Sequence, residues 1–242
     1  MERLAKMGAS GFNRGRLPKF TPQPRTSSDT PPFNKAVGFG ATGGIGRALV
    51  KDLTERGVQT RVVSRSSQHL RRNFAEGIIE HYPADIRNPT AAIKASEGFD
   101  IIFLCIGLPL HKYEDHVLIA RSVAHAMTLN EVKCLCTSGY WSYMPFTINP
   151  VPEDTPRRPT SRLAMLRQIQ EDILVSAGAC VAMLPDFFGP GATHSMLNDA
   201  IVSVAKGNTA YWPGDPDAPR DFLFIPDAGH ALVELATRRD AF

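Results

Sequence analysis

The sequence predicts an α/β protein built on a doubly wound parallel sheet, and three observations support this fold class. From residue 35 onward, short apolar runs alternate with amphipathic segments of helical period. A glycine-rich turn joins the first apolar run to the first amphipathic segment. The run "FDIIFLCIG" is almost entirely apolar, which is typical of a strand covered by helices on both faces. Such alternation produces parallel strands joined by right-handed crossovers.

Six strands are predicted, and each is a short apolar run. In chain order they are "KAVGFG", "VQTRVVS", "GIIEHYP", "FDIIFLCIG", "VKCLCTS" and "ACVAMLP". Four helices are predicted between them: "IGRALVKDLTERG", "NPTAAIKASEG", "HVLIARSVAHAMTL" and "TSRLAMLRQIQE". The first helix has Ile45, Leu49 and Leu53 on one face and ends at Gly57, a common helix terminator. Pro89 near the start of the second helix occupies a position that proline favours.

The N-terminal segment, residues 1–33, differs from the rest of the chain. It is rich in Gly, Pro, Ser, Thr and Arg, and the prolines of "TPQPRTSSDTPP" interrupt both helices and central strands. We expect a flexible tail here. Its arginine-rich, acid-poor composition also resembles an organelle transit peptide weakly, and a misplaced start codon is a further alternative.

Composition excludes several classes of function. The chain has 242 residues, 43% of them hydrophobic, and a net charge of +3, which gives no indication of a nucleic-acid partner. No apolar run reaches the roughly 18–20 residues that span a bilayer, and no signal-peptide core follows Met1. We therefore expect no membrane partner and a cytoplasmic location.

The four cysteines, at positions 105, 134, 136 and 180, all lie in predicted strands. They lack the spacing and the neighbouring histidines of a metal site, so no metal is predicted. Buried, reduced thiols fit the cytoplasm.

The glycine-rich turn "GFGATGGIG" predicts a dinucleotide site. Gly40, Gly43 and Gly46 lie between a strand and a helix inside a βαβ unit, the context in which a glycine triplet is a strong signal. Glycines allow a tight turn and close approach of a pyrophosphate, which then meets the N–H groups at the start of the helix. The turn therefore favours a sheet of the Rossmann type. Its predicted cofactor-binding residues are Gly40, Thr42, Gly43, Gly44, Ile45 and Gly46.

The end of the second strand indicates which cofactor binds. NAD sites usually carry an acidic residue there for the ribose 2′-hydroxyl, whereas this chain has Ser64 and Arg65. A guanidinium pairs with phosphate in a fork geometry, so NADP is preferred over NAD. The alternative is that Arg65 is a solvated residue that stacks over the adenine.

From about residue 35 to residue 235, these motifs resemble the extended and atypical short-chain dehydrogenase/reductases, the NAD-dependent epimerase/dehydratase family. The resemblance implies that Asp85 holds the adenine amino group and Ile86 flanks the ring. It implies that "CIG" backs the cofactor and that the loop in "MLPDFFGPG" passes the nicotinamide. The further cofactor-binding residues that it implies are Cys105, Ile106, Gly107, Arg167, Pro185, Asp186 and Phe187.

Two departures from the family pattern stand out. The family's Tyr-x-x-x-Lys pair falls on Leu163 and Arg167, so the helix cannot supply the usual proton, although Arg167 can still bind ribose hydroxyls. The chain also stops at Phe242, whereas family members usually continue. We expect a tail over 1–33, a cofactor-binding domain over 34–186, and an incomplete C-terminal substrate lobe over 187–242. This last segment includes a strand and a helix that return to the core.

A proton donor is then expected elsewhere. The resemblance gives Ser138, or Thr137, the role of holding the substrate oxygen, and Tyr140 follows as the first candidate for a relocated proton donor; the alternative is an aromatic turn packed near the nicotinamide. The predicted catalytic residues are therefore Ser138, Tyr140 and Arg167. Weaker candidates are His111, His194 and Arg220.

The resulting expectation is an NAD(P)(H)-binding oxidoreductase or epimerase-like enzyme. It would act on a carbonyl or hydroxyl of a small polar, sugar-linked substrate, and a homodimer is possible. The alternatives are a non-catalytic NADP(H)-sensing regulator and an inactive truncated family member.

Overall fold

The fold was analysed in a computed structural model, which describes residues 31–242 except 76, 78, 145–150, 153, 194, 213, 214, 216, 218 and 219. Most of the predicted tail thus lies outside the described residues. The strands are β1 Lys35–Phe39, β2 Gln59–Ser64, β3 Ile79–Pro83, β4 Ile101–Leu104, β5 Lys133–Gly139, β6 Cys180–Leu184, β7 Asp186–Phe188 and β8 Phe222–Phe224. The helices are α1 Gly44–Glu55, α2 Ser67–Asn73, α3 Pro89–Ser96, α4 Asp115–Asn130, α5 Arg162–Ser176, α6 Met196–Ala205 and α7 Ile225–Thr237.

The main sheet is parallel and has the strand order β3-β2-β1-β4-β5-β6. This is the Rossmann-type doubly wound order, so the predicted fold class and all six strands are confirmed. The order reverses between β1 and β4, and ligands of such sheets bind at the carboxyl ends of the strands at that point. The segments after β1 and β4 are the glycine loop and "CIG", respectively.

Two apolar layers cover the sheet. On one face, alternate strand residues such as Val37, Phe39 and Cys134 pack against α3, α4 and α5. On the other face, their neighbours such as Ala36 and Leu135 pack against α1 and α7. Side chains of successive strand residues point to opposite faces, which explains how a continuous apolar run fills both layers. Cys134 and Cys136 share one face as predicted, and all four cysteines are free thiols.

Helix α2 was not predicted from the sequence. It has seven residues, and Leu70 is its only buried residue, which leaves too little apolar periodicity to detect. Ser66 caps its start, since its side chain accepts a hydrogen bond from the His69 amide at 3.3 Å. The helix packs through Leu70 beside Val50 and Val62 in a small cluster at the β2 side of the sheet.

The C-terminal part folds back onto the start of the domain. Helix α7 packs so closely on α1 that a Cβ on Gly229 would lie 2.4 Å from the Ala48 carbonyl carbon. Strand β8 pairs with β7 in a separate two-stranded parallel sheet. None of the helices in the described ranges is long and apolar enough to cross a membrane.

Candidate active site

The glycine loop is fixed by contacts that only glycine permits. Gly40 has φ +84°, a left-handed conformation, and a Cβ there would lie 2.6 Å from the carbonyl oxygen of Cys105. A Cβ on Gly46 would lie 2.5 Å from the carbonyl oxygen of Gly40. These two glycines therefore let the loop turn against the end of β4 and pass directly into α1.

Gly43 has a different role, because the protein leaves room beside it. Its added Cβ would meet nothing closer than the Gly40 carbonyl oxygen at 3.4 Å. Gly43 is the N-cap of α1, and no side chain within the described residues caps this helix end. The first amides of α1 are thus open to a ligand, and the positive end of the helix dipole lies there. This cradle fits the phosphates of a dinucleotide.

A cavity of about 500 Å³ lies against this loop. Its lining comes from three places: the glycine loop, the segment after β4, and α2. The lining residues are Gly40, Thr42, Gly43, Cys105, Ile106, Gly107, His69, Arg72 and Asn73. The first six were predicted from the sequence as cofactor-binding residues, and the structure brings them together around one cavity. The three residues of α2 were not, because the helix that carries them was not predicted.

The residues after β2 and β3 are the ones that the sequence predicts to face the adenosine half of the cofactor. Asp85 forms an ion pair with Arg87 at 2.6 Å, and the hydrogen bonds from Arg87 hold the pKa of that carboxyl below its usual range, with a smaller contribution from Arg65. Arg87 also pairs with Asp115 at 3.0 Å, at the start of α4. Ile86 is buried in the core with only 6% of its surface exposed, so little of it remains to flank a ring.

Ser138, at the end of β5, lies in a buried polar network. Its hydroxyl donates a short hydrogen bond to Glu171 Oε1 and accepts one from Arg167 Nε at 3.0 Å. Glu171 is fully buried and pairs with Arg157 at 2.5 Å. The proton of Ser138 is therefore directed at a carboxylate. Its remaining lone pair can accept a hydrogen bond from a substrate hydroxyl.

Arg167 is held on several sides. Besides Ser138, its guanidinium contacts Gln170 Oε1 at 2.7 Å, the Thr137 carbonyl oxygen at 3.2 Å and His116 Nδ1 at 3.2 Å. Burial, and secondarily the Arg167 cation, lowers the pKa of His116 to about 3, so the imidazole is neutral and accepts from the guanidinium. Leu163 offers no proton, as predicted from the sequence.

Tyr140 belongs to a second polar contact. Its hydroxyl donates to Asp186 Oδ2 at 3.1 Å, in the first residue of β7. Burial raises the pKa of Tyr140 to about 12, and the neighbouring carboxylate of Asp186 adds to that shift. At neutral pH the phenol therefore keeps its proton and acts as a hydrogen-bond donor. Pro185 and Phe187 flank Asp186 in the chain, and the Phe187 carbonyl accepts a hydrogen bond from Ser195.

Of the weaker candidates, Arg220 lies near Tyr140, because its positive charge acts to lower the pKa of that phenol against the larger effects of burial and Asp186. His111 is exposed in a short 3-10 turn over Leu110–Lys112, and His194 lies outside the described residues. The Arg220 guanidinium lies 5.5 Å from the centre of the Trp212 ring. No group of three or more His, Cys, Asp or Glu side chains that could hold a metal ion occurs in the part of the chain that the structure describes.

Sequence reasoning missed three further members of the network. Glu171 lies on the predicted helix "TSRLAMLRQIQE" but was given no role, and Arg157 lies in the irregular segment "PRRP". His116 lies on α4, about fifty positions from Arg167 along the chain. The available signal for Glu171 was an acidic residue on the face of α5 that packs against the sheet, because a buried carboxylate needs a charged or hydrogen-bonding partner.

Comparisons with known proteins agree with this fold. The UDP-N-acetylglucosamine 4-epimerase from Bacillus cereus superimposes with a TM-score of 0.70 at 19% identity, over 86% of this chain and 72% of that one. The Bordetella bronchiseptica enzyme WbmH, solved with NAD+, gives 0.72 at 20% identity over 84% and 72%. The dTDP-glucose 4,6-dehydratase DesIV from Streptomyces venezuelae, solved with NAD, gives 0.72 at 14% over 84% and 72%.

No curated protein sequence matches the chain significantly. The sequence model of the NAD dependent epimerase/dehydratase family, however, matches residues 39–242, which is most of the chain. The chain therefore belongs to the NAD dependent epimerase/dehydratase family.

Proposed function

We propose that the protein is an NAD(P)(H)-dependent oxidoreductase or epimerase that acts on a hydroxyl or carbonyl of a small, sugar-linked substrate. The observation that carries this proposal is the placement of Ser138 in a buried network of charged partners beside Arg167, at the same sheet edge as the glycine-loop cavity. The structural neighbours with named substrates act on nucleotide sugars, which supports the substrate class.

NADP is the proposed cofactor, with NAD as the alternative. The neighbours described above were solved with NAD or NAD+ where a dinucleotide is named. This chain differs from the usual NAD site because Ser64 ends β2 and no carboxylate follows there to repel a 2′-phosphate.

In the mechanism that we propose, the side chains of this chain orient the substrate and manage a proton. A bound nicotinamide would supply a hydride acceptor or donor. The Ser138 oxygen accepts the hydrogen bond of a substrate hydroxyl, since its own proton is committed to Glu171. Arg167 keeps that oxygen in place and presents a fixed positive charge near the developing oxyanion. Tyr140 remains the first candidate for the proton donor, with Asp186 orienting its hydroxyl.

A second function, a non-catalytic NADP(H) sensor, is favoured by one observation. Leu163 occupies the position of the family's proton donor, while the cradle for the dinucleotide is intact. Such a protein would bind the cofactor and signal its redox state without turnover.

Binding and turnover measurements test both functions. The purified protein is titrated with NADPH and NADH by fluorescence, then incubated with NADP+ and UDP-glucose or UDP-N-acetylglucosamine, and with NADPH and a panel of aldehydes and keto-sugars. We expect binding and slow turnover that falls in Ser138→Ala and in Tyr140→Phe. Binding without turnover over the whole panel, unchanged by Tyr140→Phe, would support the sensor. Absence of binding would refute both functions.

Three broader assignments also stand as proposals. We assign residues 34–186 to the cofactor-binding domain and 187–242 to a partial substrate lobe. A homodimer is proposed from the apolar residues exposed on α4 and α5. A cytoplasmic location is proposed from the four free cysteines.

A further inference from the structure

One face of α2 forms a wall of the dinucleotide cavity. His69, Arg72 and Asn73 line that cavity, and their spacing of three and four places them on the same face of the helix. Arg71 is two positions from His69 and does not line the cavity. The cavity wall is thus a defined helical face, which we call the α2 wall and define as His69, Arg72 and Asn73.

The α2 wall is attached to the rest of the site. Asn73 Oδ1 accepts a hydrogen bond from Arg47 Nη1 at 3.1 Å, and Asn73 Nδ2 donates to the His69 carbonyl oxygen at 2.7 Å. Arg47 itself packs against Gly191, where an added Cβ would lie within contact of its guanidinium. The face is therefore held at a fixed distance from the start of α1.

Arg72 brings an uncompensated charge to this wall. Within the described residues its guanidinium makes no ion pair or hydrogen bond, and it is exposed to the cavity side. A guanidinium is permanently protonated and offers a planar fork of donors. No carboxylate among the described residues pairs with this cation, so the cavity suits an anionic ligand.

The topology shows which part of a dinucleotide lies beside the wall. The pyrophosphate belongs at the start of α1, and the adenosine ribose belongs at the end of β2. Helix α2 follows the end of β2 after two residues, Arg65 and Ser66. The α2 wall is thus expected on the ribose side of the cavity, which it lines together with Thr42 and Gly43 of the loop.

We propose that Arg72, assisted by His69, binds the 2′-phosphate of NADP(H) and sets the cofactor preference of this protein. This proposal rests on the proposed function and deepens it, because it moves the phosphate-reading residue from the end of β2 onto α2. Arg65, the sequence-based candidate, is absent from the residues that line the cavity.

The test compares dinucleotides and their adenosine halves in matched variants. Dissociation constants are measured for NADPH, NADH, 2′,5′-ADP and 5′-AMP with the wild type, Arg72→Ala, Arg71→Ala and Arg65→Ala. Arg72→Ala should raise the dissociation constants of NADPH and 2′,5′-ADP by about tenfold or more, because the phosphate loses a charged hydrogen-bonding partner. The dissociation constants of NADH and 5′-AMP should change by less than about twofold in the same variant. Arg71→Ala should bind all four ligands as the wild type does. Arg72→Lys keeps the positive charge but not the planar fork of donors, so its affinity for NADPH should lie between those of the wild type and Arg72→Ala.

Several results would overturn the proposal while leaving the proposed function intact. If Arg72→Ala loses the same factor of affinity for NADPH and for NADH, Arg72 contacts a group that both dinucleotides share. Loss of NADPH selectivity in Arg65→Ala but not in Arg72→Ala would return the role to Arg65. A wild type that binds 2′,5′-ADP no better than 5′-AMP would exclude any 2′-phosphate site. Failure to bind either dinucleotide would instead refute the proposed function itself. Unchanged melting temperatures confirm that the exposed substitutions leave the fold intact.

Discussion

Replacing the buried acid Glu171 with glutamine tests whether the polar network beneath Ser138 is held together by charge. Glutamine keeps the shape and can still accept the Ser138 hydrogen bond, but it loses the ion pair with Arg157 at 2.5 Å. The Glu171 side chain is 1% exposed and that of Arg157 25% exposed, so solvent replaces little of what is lost. Loss of a hydrogen bond to a charged group costs about 2 kcal/mol here. For a chain of this length that lowers the melting temperature by about 4–8 °C.

Asp172 provides the matched control. It pairs with the same guanidinium at 2.6 Å, but its side chain is 52% exposed. Exposed ion pairs contribute at most about 1 kcal/mol, so Asp172→Asn should shift the melting temperature by less than about 4 °C. Differential scanning calorimetry of both variants at one pH and salt concentration measures the difference. Equal shifts in the two variants would show that burial does not strengthen the Glu171 pair, and the account of the network would be wrong.

Three further predictions concern the loop, the network and the surface. Gly43→Ala should keep the wild-type melting temperature, because its Cβ meets nothing in the protein closer than the Gly40 carbonyl oxygen at 3.4 Å, but should weaken NADPH binding by about tenfold, because that Cβ takes up room in the phosphate cradle. Gly46→Ala should instead destabilise the fold through a 2.5 Å backbone clash. The unfolding free energy should fall as the pH drops from about 6.5 toward about 3, because burial lowers the pKa of His116 to about 3 and the unfolded state takes up the proton first. Glutamates at Met165 and Ile169, each 45% exposed on α5, should convert a homodimer to a monomer in analytical ultracentrifugation.

Each of these has its own control. Gly57→Ala, at φ +76° with open space around it, separates backbone strain from clash in the calorimetric series. Loss of the acid-dependent change in His116→Gln but not in the exposed His125→Gln would assign it to the buried ring. Val204→Glu on α6 should leave the mass unchanged, and a monomeric wild type would contradict the homodimer outright.

The architecture could be predicted from the sequence because the spacing of apolar residues indicates the strands and the long helices. In β1, Val37 and Phe39 lie in one apolar layer and Ala36 lies in the other, as the period of two requires. The glycine loop could be predicted equally well, because Gly40 and Gly46 make close backbone contacts that no other residue tolerates. These features depend on residues close together in the chain.

The side chains that hold the site residues in place could not be predicted from the sequence, because they come from segments far apart in the chain. The link between Arg167 and His116 joins α5 to α4, and that between Arg157 and Glu171 joins an irregular segment to a helix. The α2 wall escaped for another reason: a seven-residue helix with a single buried leucine has no detectable period. Local patterns thus predict elements, whereas ion pairs and cavities require the folded chain.

The close contact of α7 with α1 has a consequence for biosynthesis. The apolar layer on that face contains Leu49 and Leu53 from α1 together with Leu232 and Val233 from α7, and Arg56 bonds Glu234 across 178 positions. While the chain is still on the ribosome, the side of α1 that α7 covers therefore stays exposed until residue 237 has emerged from the exit tunnel. Contacts of such long sequence separation form slowly, so this apolar surface stays exposed during translation, which is the condition in which chaperones bind nascent chains.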